Sequence, residues 1–469
     1  MTRDAVFDLA VLGGGSAGFA AAIRGAELGA RVALIEGGTL GGTCVNVGCV
    51  PSKTLIRAAE AHHRRTHHGF SGVAATDGGP DWAAVRAQKD ELVDELRQAK
   101  YGDVLRAHDG IALLPQRATL TPGGAVALAD GTEVTPDKIV ITTGASPWAA
   151  PIPGLAQAGY LDSTSAMALE RLPASLIVVG GSAVGLELAQ MFARLGVAVT
   201  VLEALPRLVP AEDPDVGDAL ARYLEDEGLT IRAGVAIECV ERHAGTYVVR
   251  GVDAGEPLDV RAEQLLVATG RRPNTQGLDL EAAGVTLGPR GEVLTNEYLQ
   301  TDNPRVYAAG DVVGDPMFVY VAAHAGTLAA ENALSGNRRR YDLTGLPRVT
   351  FTDPAVASVG VTEQQAAERG RPLVTTLPLE HVPRALAARD TRGFIKLVAD
   401  PASRRLLGAH VLAAEAGETI TEATLAVRLG LTIDDLTAAF HPYLTLAEGI
   451  KLAAQTFDKD VTMLSCCAA

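Results

Sequence analysis

The chain has 469 residues, 47% of them apolar and 21% charged, and a formal net charge of −15. That length suits roughly two to four domains, and the acidic balance excludes the basic footprint of a nucleic-acid or anionic-membrane binder. No run reads as a transmembrane helix. The N-terminus lacks the basic region and unbroken apolar run of a signal peptide, so the expected location is cytoplasmic.

In chain order, Phe7 to Leu12 (FDLAVL) predicts a buried strand. It runs into Gly13-Gly14-Gly15-Ser16-Ala17-Gly18 and then an alanine-rich helical segment. A second apolar run, Arg31 to Ile35, ends at Glu36. Such a strand–GxGxxG–helix–strand–acid unit cradles a dinucleotide. Gly13 makes the turn, Gly15 admits the pyrophosphate, Gly18 lets helix and strand pack, and Glu36 meets ribose hydroxyls.

Next comes GGTCVNVGCVPSK, holding Cys44, Cys49 and Lys53. Four residues between the cysteines is not a usual zinc spacing. Gly48 permits a bend and Pro51 suits a first helical turn. Cys49 is therefore expected at or just before a helix N-terminus, where the helix dipole favours a thiolate, with Lys53 adding positive charge. Thiols in a reducing compartment carry redox or metal chemistry more often than staples. The following helix predicts His63 and His67 on one face of a histidine-rich stretch, His62 to His68, read as an exposed polar turn.

The cradle then recurs. Leu176 to Val179 leads into Gly180-Gly181-Ser182-Ala183-Val184-Gly185, a helix, and a strand ending at Glu203. The acid lies 18 residues after the last glycine in both copies, which makes two dinucleotide sites a specific reading. Strand–turn signals also end at Gly144, Gly270 and Gly310-Asp311. Glu203 suits a free 2′-hydroxyl and repels a 2′-phosphate; Arg207, four residues on, is able to compensate, so NADH and NADPH both stay open. Cys239 reads as a buried strand residue. From about Pro347 the pattern alternates as in an antiparallel sheet, followed by a helical stretch. The chain closes on MLSCCAA, with Cys466 and Cys467 adjacent.

GGTCVNVGCVPSK resembles the redox-active motif of the pyridine nucleotide-disulfide oxidoreductases, and the likeness runs along nearly the whole chain. It implies an α/β fold with two Rossmann-like domains and a C-terminal α+β dimerisation domain: residues 1–148 and 270–343 for the FAD-binding parts, 149–269 for NAD(P), and 344–469 for dimerisation with the Cys-Cys tail. It places FAD on Gly13, Gly15, Ser16, Gly18, Glu36, Gly42, Thr43, Lys53, Thr143, Gly144, Gly310 and Asp311. It places NADPH or NADH on Gly180, Gly181, Gly185, Glu203 and Gly270. Cys49 would lie against the flavin and Cys44 would meet the substrate, with Lys53 and Glu187 pairing nearby. Ala183 sits where several relatives have an aromatic gate.

Disulfide reductases of this family carry a His-Pro-Thr-x-x-Glu motif. Here the region reads Phe440-His441-Pro442-Tyr443-Leu444-Thr445-Leu446-Ala447-Glu448. Matching His441-Pro442 leaves Glu448 too far along; matching Glu448 puts Tyr443 in the place of the histidine, and this register is preferred. Tyrosine, with a pKa near 10, shuttles protons poorly at neutral pH. Moving a soft metal between thiolates needs sulfur rather than a shuttle. YLTLAEGIKLAAQTF, LSCCAA and the segment Phe318 to Ala323 resemble the branch of the family that reduces mercury. The resemblance then implies a homodimer with shared active sites. Cys466 and Cys467 of one subunit would take Hg(II) from thiol complexes and pass it to Cys44 and Cys49 of the other. NAD(P)H would reduce it to Hg(0) through FAD. Tyr443 would line the path, with Tyr320 and His324 either beside it or merely packing. An N-terminal CxxC metal-binding domain that many members carry is expected to be missing. A thioredoxin- or lipoamide-type disulfide reductase, and a metal-sequestering protein on the same fold, are the competing readings.

Overall fold

The computed structural model describes residues 7–76 and 78–464. The chain divides into two compact units, one formed by Met1–Thr54, Ala84–Ala150 and Gly270–Asp342, the other by Leu55–Ala83, Pro151–Thr269 and Leu343–Ala469.

The first unit is built on a five-stranded parallel sheet in the order Val306–Ala308, Lys138–Ile141, Leu9–Leu12, Val32–Ile35, Ile111–Leu114. Leu9–Leu12 is central and wholly buried, which explains its continuous apolar run: a parallel strand is covered on both faces and has no polar side to alternate. Helices Ser16–Glu27 and Val319–Ser335 pack closely. A Cβ on Gly326 would stand 2.0 Å from the Ala17 carbonyl oxygen, so glycine there sets the approach of the two helices. A small antiparallel meander, Ala118–Leu120, Val126–Leu128 and Glu133–Val134, completes a second core layer.

The second unit repeats the plan. Its four-stranded parallel sheet runs Thr230–Ala233, Ala198–Glu203, Ser175–Val179, Gln264–Val267, with helix Ala183–Arg194 following the glycine turn. A three-stranded meander, Ala236–His243, Thr246–Asp253 and Glu256–Ala262, is attached. Cys239 lies at a register shift in this meander and is half-buried, not buried as expected. The slip at the bulge turns its side chain partly outward.

The C-terminal part is a five-stranded antiparallel sheet in the order Pro347–Thr350, Ala355–Gly360, Leu406–Ala413, Phe394–Ala399, Leu373–Pro378. It is covered by helix Ala416–Leu429 around a core that includes Val359, Ile395, Val411 and Ile420. Two buried ionic clusters run through this unit. In one, Arg194 and Arg392 both bridge Glu227 and Asp353. In the other, Lys396 reaches Asp215 at 2.6 Å and Glu363 at 3.0 Å, while His410 lies between Glu212 and the Val361 carbonyl. No helix among the described residues is long and apolar enough to cross a membrane.

Candidate active site

Each glycine turn is closed by contacts that only glycine permits. Gly13 has φ +108°, and a Cβ on it would sit 2.6 Å from the Thr142 carbonyl oxygen. A Cβ on Gly18 would sit 1.8 Å from the Gly13 carbonyl oxygen, inside bonding contact. Helix Ser16–Glu27 starts at Gly15 with no side-chain cap, so its first amides are left for a ligand. Gly42 lies against Gly15, where a Cβ would come within 2.6 Å of the Gly15 Cα, so neither residue puts a side chain over those amides. Glu36 is held from both sides: the Gly14 N–H donates to Oε2 at 2.6 Å and the Gly38 N–H to Oε1 at 2.6 Å. An uncapped helix start, bare glycines and a fixed carboxylate fit the pyrophosphate and ribose of a dinucleotide.

The second cradle has the same construction. Gly180 has φ +119°, and a Cβ on Gly185 would lie 2.0 Å from the Gly180 carbonyl oxygen. Ser182 precedes helix Ala183–Arg194 without capping it. Glu203 accepts from the Gly181 N–H at 2.5 Å and the Leu205 N–H at 2.7 Å. Glu187, on the same helix, accepts from the Phe351 N–H at 2.9 Å.

At the strand ends of the first unit, Gly144 has φ +71° and Gly270 φ +136°. Thr143 donates to the Asn274 carbonyl, and Asn274 returns two hydrogen bonds, to the Thr143 and Gly144 carbonyls. Thr142 donates to the Leu12 and Gly13 carbonyls and so braces the first turn. Neither Asn274 nor Thr142 was picked out from sequence; the run GRRPN beside the turn at Gly270 was the available signal. Gly310 (φ +79°) precedes the 3-10 turn Asp311–Val313. Burial raises the Asp311 pKa, and Arg271, whose Nε lies 4.0 Å away, opposes that rise.

Gly41, in the left-handed region, starts helix Gly42–Val47, which carries Thr43 and Cys44. After Gly48 the chain re-enters a helix at Cys49, the first residue of Cys49–Arg64. Both cysteines are half-buried. Hydrogen bonding of the Cys44 thiol to Cys49 raises its pKa far above the usual range; burial and the charge of Cys49 add to this, and Lys53 opposes it. The Cys44 thiol therefore holds its proton tightly beside Cys49. Lys53 is one turn along the helix that Cys49 begins.

Tyr101 was missed at the sequence level. It lies in a π-helical turn, Gln98–Gly102, its ring 4.6 Å from that of Phe19. Burial raises its pKa, a hydrogen bond with Ser16 opposes this, and the charges of Cys44 and Cys49 reinforce it. A phenol thus stands within electrostatic reach of both cysteines.

His441 donates through Nε2 to the Glu422 carboxylate at 2.7 Å, and its side chain is buried. Glu448 starts helix Glu448–Gln455; it is buried, and its Oε2 has no hydrogen-bond partner among the described residues. Tyr443 is exposed, beside Leu444 at φ +67°. Tyr320 is exposed and its ring stacks on that of Phe318, while His324 stacks on Tyr341. Cys466 and Cys467 lie outside the described residues.

The histidine-rich stretch forms a polar turn at the end of a helix, in line with its reading. The helix ends at Arg64, so His67 is not on it, and the His63 and His67 rings stack at 4.1 Å. His63 is half-buried, and burial, with Arg194 nearby, lowers its pKa to about 4. Among the described residues no group of three or more His, Cys, Asp or Glu is placed to hold a metal ion.

Residues 7–326 match the family model of the pyridine nucleotide-disulphide oxidoreductases, and residues 346–454 match that family's dimerisation domain. The chain belongs to this family, whose members use FAD and NAD(P)H. It is 50% identical over 468 residues to a mercuric reductase of Streptomyces lividans, covering 98% of both chains. It is 47% identical over 467 residues to the mercuric reductase of Staphylococcus aureus, covering 99% of this chain and 85% of that one. Among solved structures, the Cu(II) complex of the HOCl-induced flavoprotein disulfide reductase RclA from Escherichia coli superposes with a TM-score of 0.86 at 32% identity, covering 96% of this chain and 99% of that chain.

Proposed function

We propose that this protein reduces thiol-bound Hg(II) to Hg(0) with NAD(P)H, and that Cys44 and Cys49 hold the ion during reduction. The observation that carries the reading is the pair of half-buried cysteines on either side of the bend at Gly48, Cys49 opening helix Cys49–Arg64, in a chain similar to mercuric reductases over nearly its whole length. Hg(II) is soft and two-coordinate with thiolates. Exchange with a dithiolate complex forms two S–Hg bonds to the protein and releases two small thiols, which carry away the protons of Cys44 and Cys49. Loss of the Cys44 proton is the harder step, and Lys53 assists it. FAD, held by the first cradle, supplies a two-electron relay from nicotinamide to the bound ion. The sum is NAD(P)H + Hg(II) → NAD(P)⁺ + H⁺ + Hg(0).

Tyr101, near both cysteines, limits water and orients the ion. His441 is engaged by Glu422, and Tyr443 occupies the place of the shuttle histidine, which suits metal transfer better than disulfide reduction. The protein acts as a homodimer in the cytoplasm. Cys466, Cys467 and Tyr443 of one subunit deliver Hg(II) from thiol complexes to the cysteine pair of the other.

The test is NADH and NADPH oxidation by purified holoenzyme with Hg(II) in excess small thiol, while Hg(0) vapour is trapped. One Hg(0) per nicotinamide oxidised is the expected result. Turnover with thioredoxin, lipoamide or glutathione disulfide but no Hg(0) would return the chain to disulfide reduction, and no turnover at all would favour a metal-sequestering protein. The double variant Cys466→Ala/Cys467→Ala should lose rate chiefly with dithiol-bound Hg(II); full activity there would refute the relay.

A further inference from the structure

The two cradles clasp their acids in the same way. In the first, Glu36 takes one amide from the glycine turn (Gly14) and one from two residues past itself (Gly38), both at 2.6 Å. In the second, Glu203 takes the amide of Gly181 at 2.5 Å and that of Leu205, again two residues past itself, at 2.7 Å. The two acids occupy the same position in parallel-sheet units of the same construction. The adenosine ribose of FAD always has a free 2′-hydroxyl, so the first clasp is by its ligand a clasp for an unphosphorylated ribose. Its repetition in the nicotinamide cradle carries the same meaning.

The second clasp also cannot move aside. Glu203 is buried, 8% exposed. A Cβ on Gly181 would lie 2.9 Å from the Glu203 Cβ and 2.7 Å from a Leu208 methyl, so the stem is wedged between turn and loop. Two amide donors keep the carboxylate aimed. A 2′-phosphate would bring two negative charges against a fixed third, whereas a 2′-hydroxyl donates to a remaining lone pair. Among the described residues Arg207 forms no ion pair with Glu203 that would neutralise it, and its Nε is buried without an acceptor.

We propose that this protein selects NADH over NADPH, with the clasped carboxylate of Glu203 as the specificity-determining group. This rests on reading the second cradle as the nicotinamide site, and it deepens the proposed function without depending on mercury as the acceptor.

The experiment is calorimetric titration of the FAD-loaded dimer with ADP-ribose and with 2′-phospho-ADP-ribose, which need neither hydride transfer nor Hg(II). The wild type should bind ADP-ribose at least about 10-fold more tightly, as expected for a like-charge clash. Glu203→Gln, which keeps the shape and one acceptor oxygen but removes the charge, should bring the two affinities close together. Arg207→Gln should leave the wild-type ratio in place. Equal or tighter binding of the phosphorylated ligand by the wild type would overturn the proposal, as would an unchanged ratio in Glu203→Gln. Loss of phosphorylated-ligand binding in Arg207→Gln would instead identify that arginine as a phosphate site. Selective binding with no Hg(0) release would leave this inference standing and sink the mercury reading alone.

Discussion

Replacing Arg194 by methionine tests one of the two ion clusters of the second unit. The side chain is 4% exposed. Its Nε lies 2.8 Å from Glu227 Oε2, and its terminal nitrogen 2.6 Å from Glu227 Oε1 and 2.9 Å from Asp353 Oδ2. Methionine fills much of the volume but leaves two poorly hydrated carboxylates facing each other. Removing one partner of a buried pair costs about 3–5 kcal/mol. Arg392 remains, 3.0 Å from an oxygen of each acid, which places the cost near the lower end, about 3 kcal/mol. At about 2–4 °C per kcal/mol for a large domain, Tm should fall by about 6–12 °C. The assay is calorimetry of the holoenzyme, with flavin release followed in parallel. Arg194→Lys, which keeps a charge but loses the two-pronged contact, should fall between wild type and methionine. A methionine variant within about 2 °C of wild type would refute the claim that this arginine neutralises a buried acid pair.

Gly18→Ala should purify largely without flavin, because its Cβ would stand 1.8 Å from the Gly13 oxygen; a normal flavin-to-protein absorbance ratio would show that the turn can open. Tyr101→Phe should keep its flavin but lose about 10-fold or more in Hg(II) turnover, in the range of a single positioned polar group; unchanged kcat and KM would remove Tyr101 from the site. His410 sets a pH dependence. Burial alone lowers its pKa, but the hydrogen bond and charge of Glu212, aided by Val361 and Asp213, outweigh this and raise it. A raised folded pKa stabilises fully below the unfolded value of about 6.5 and is lost as pH rises through the folded value. The Tm deficit of His410→Gln should therefore be largest below about pH 6.5 and shrink toward alkaline pH; a deficit that grows with pH would reverse the sign.

The parallel strands, both glycine turns and their acids were legible because each depends on short-range spacing. A turn requiring φ > 0 leaves glycine, and a strand covered on two faces leaves an unbroken apolar run. The cysteine segment was legible for the same reason, since a bend at Gly48 and a helix start at Cys49 fall within a few residues. The ion clusters were not: Arg194 meets Asp353 across 159 residues and His410 meets Glu212 across 198, and no local pattern marks a partner so distant. Nor was Tyr101, because the Gly102-Asp103 pair in LRQAKYGD signals a break in a helix but does not distinguish a π turn from an ordinary helix end. The histidine stretch was legible as a polar turn near a helix end; the one refinement is that the helix stops at Arg64, so the turn beyond it, not a further helical turn, brings the His63 and His67 rings together.

The π turn at Gln98–Gly102 has one more consequence. A π turn holds one residue more than the α turn it replaces, so every side chain after it is rotated by about 100° relative to an uninterrupted helix. Deleting one residue between Arg97 and Tyr101 would restore the α register and swing the phenol away from Ser16, leaving each neighbouring side chain chemically intact. Which group faces the cysteine pair is thus decided by the length of a helix rather than by its composition.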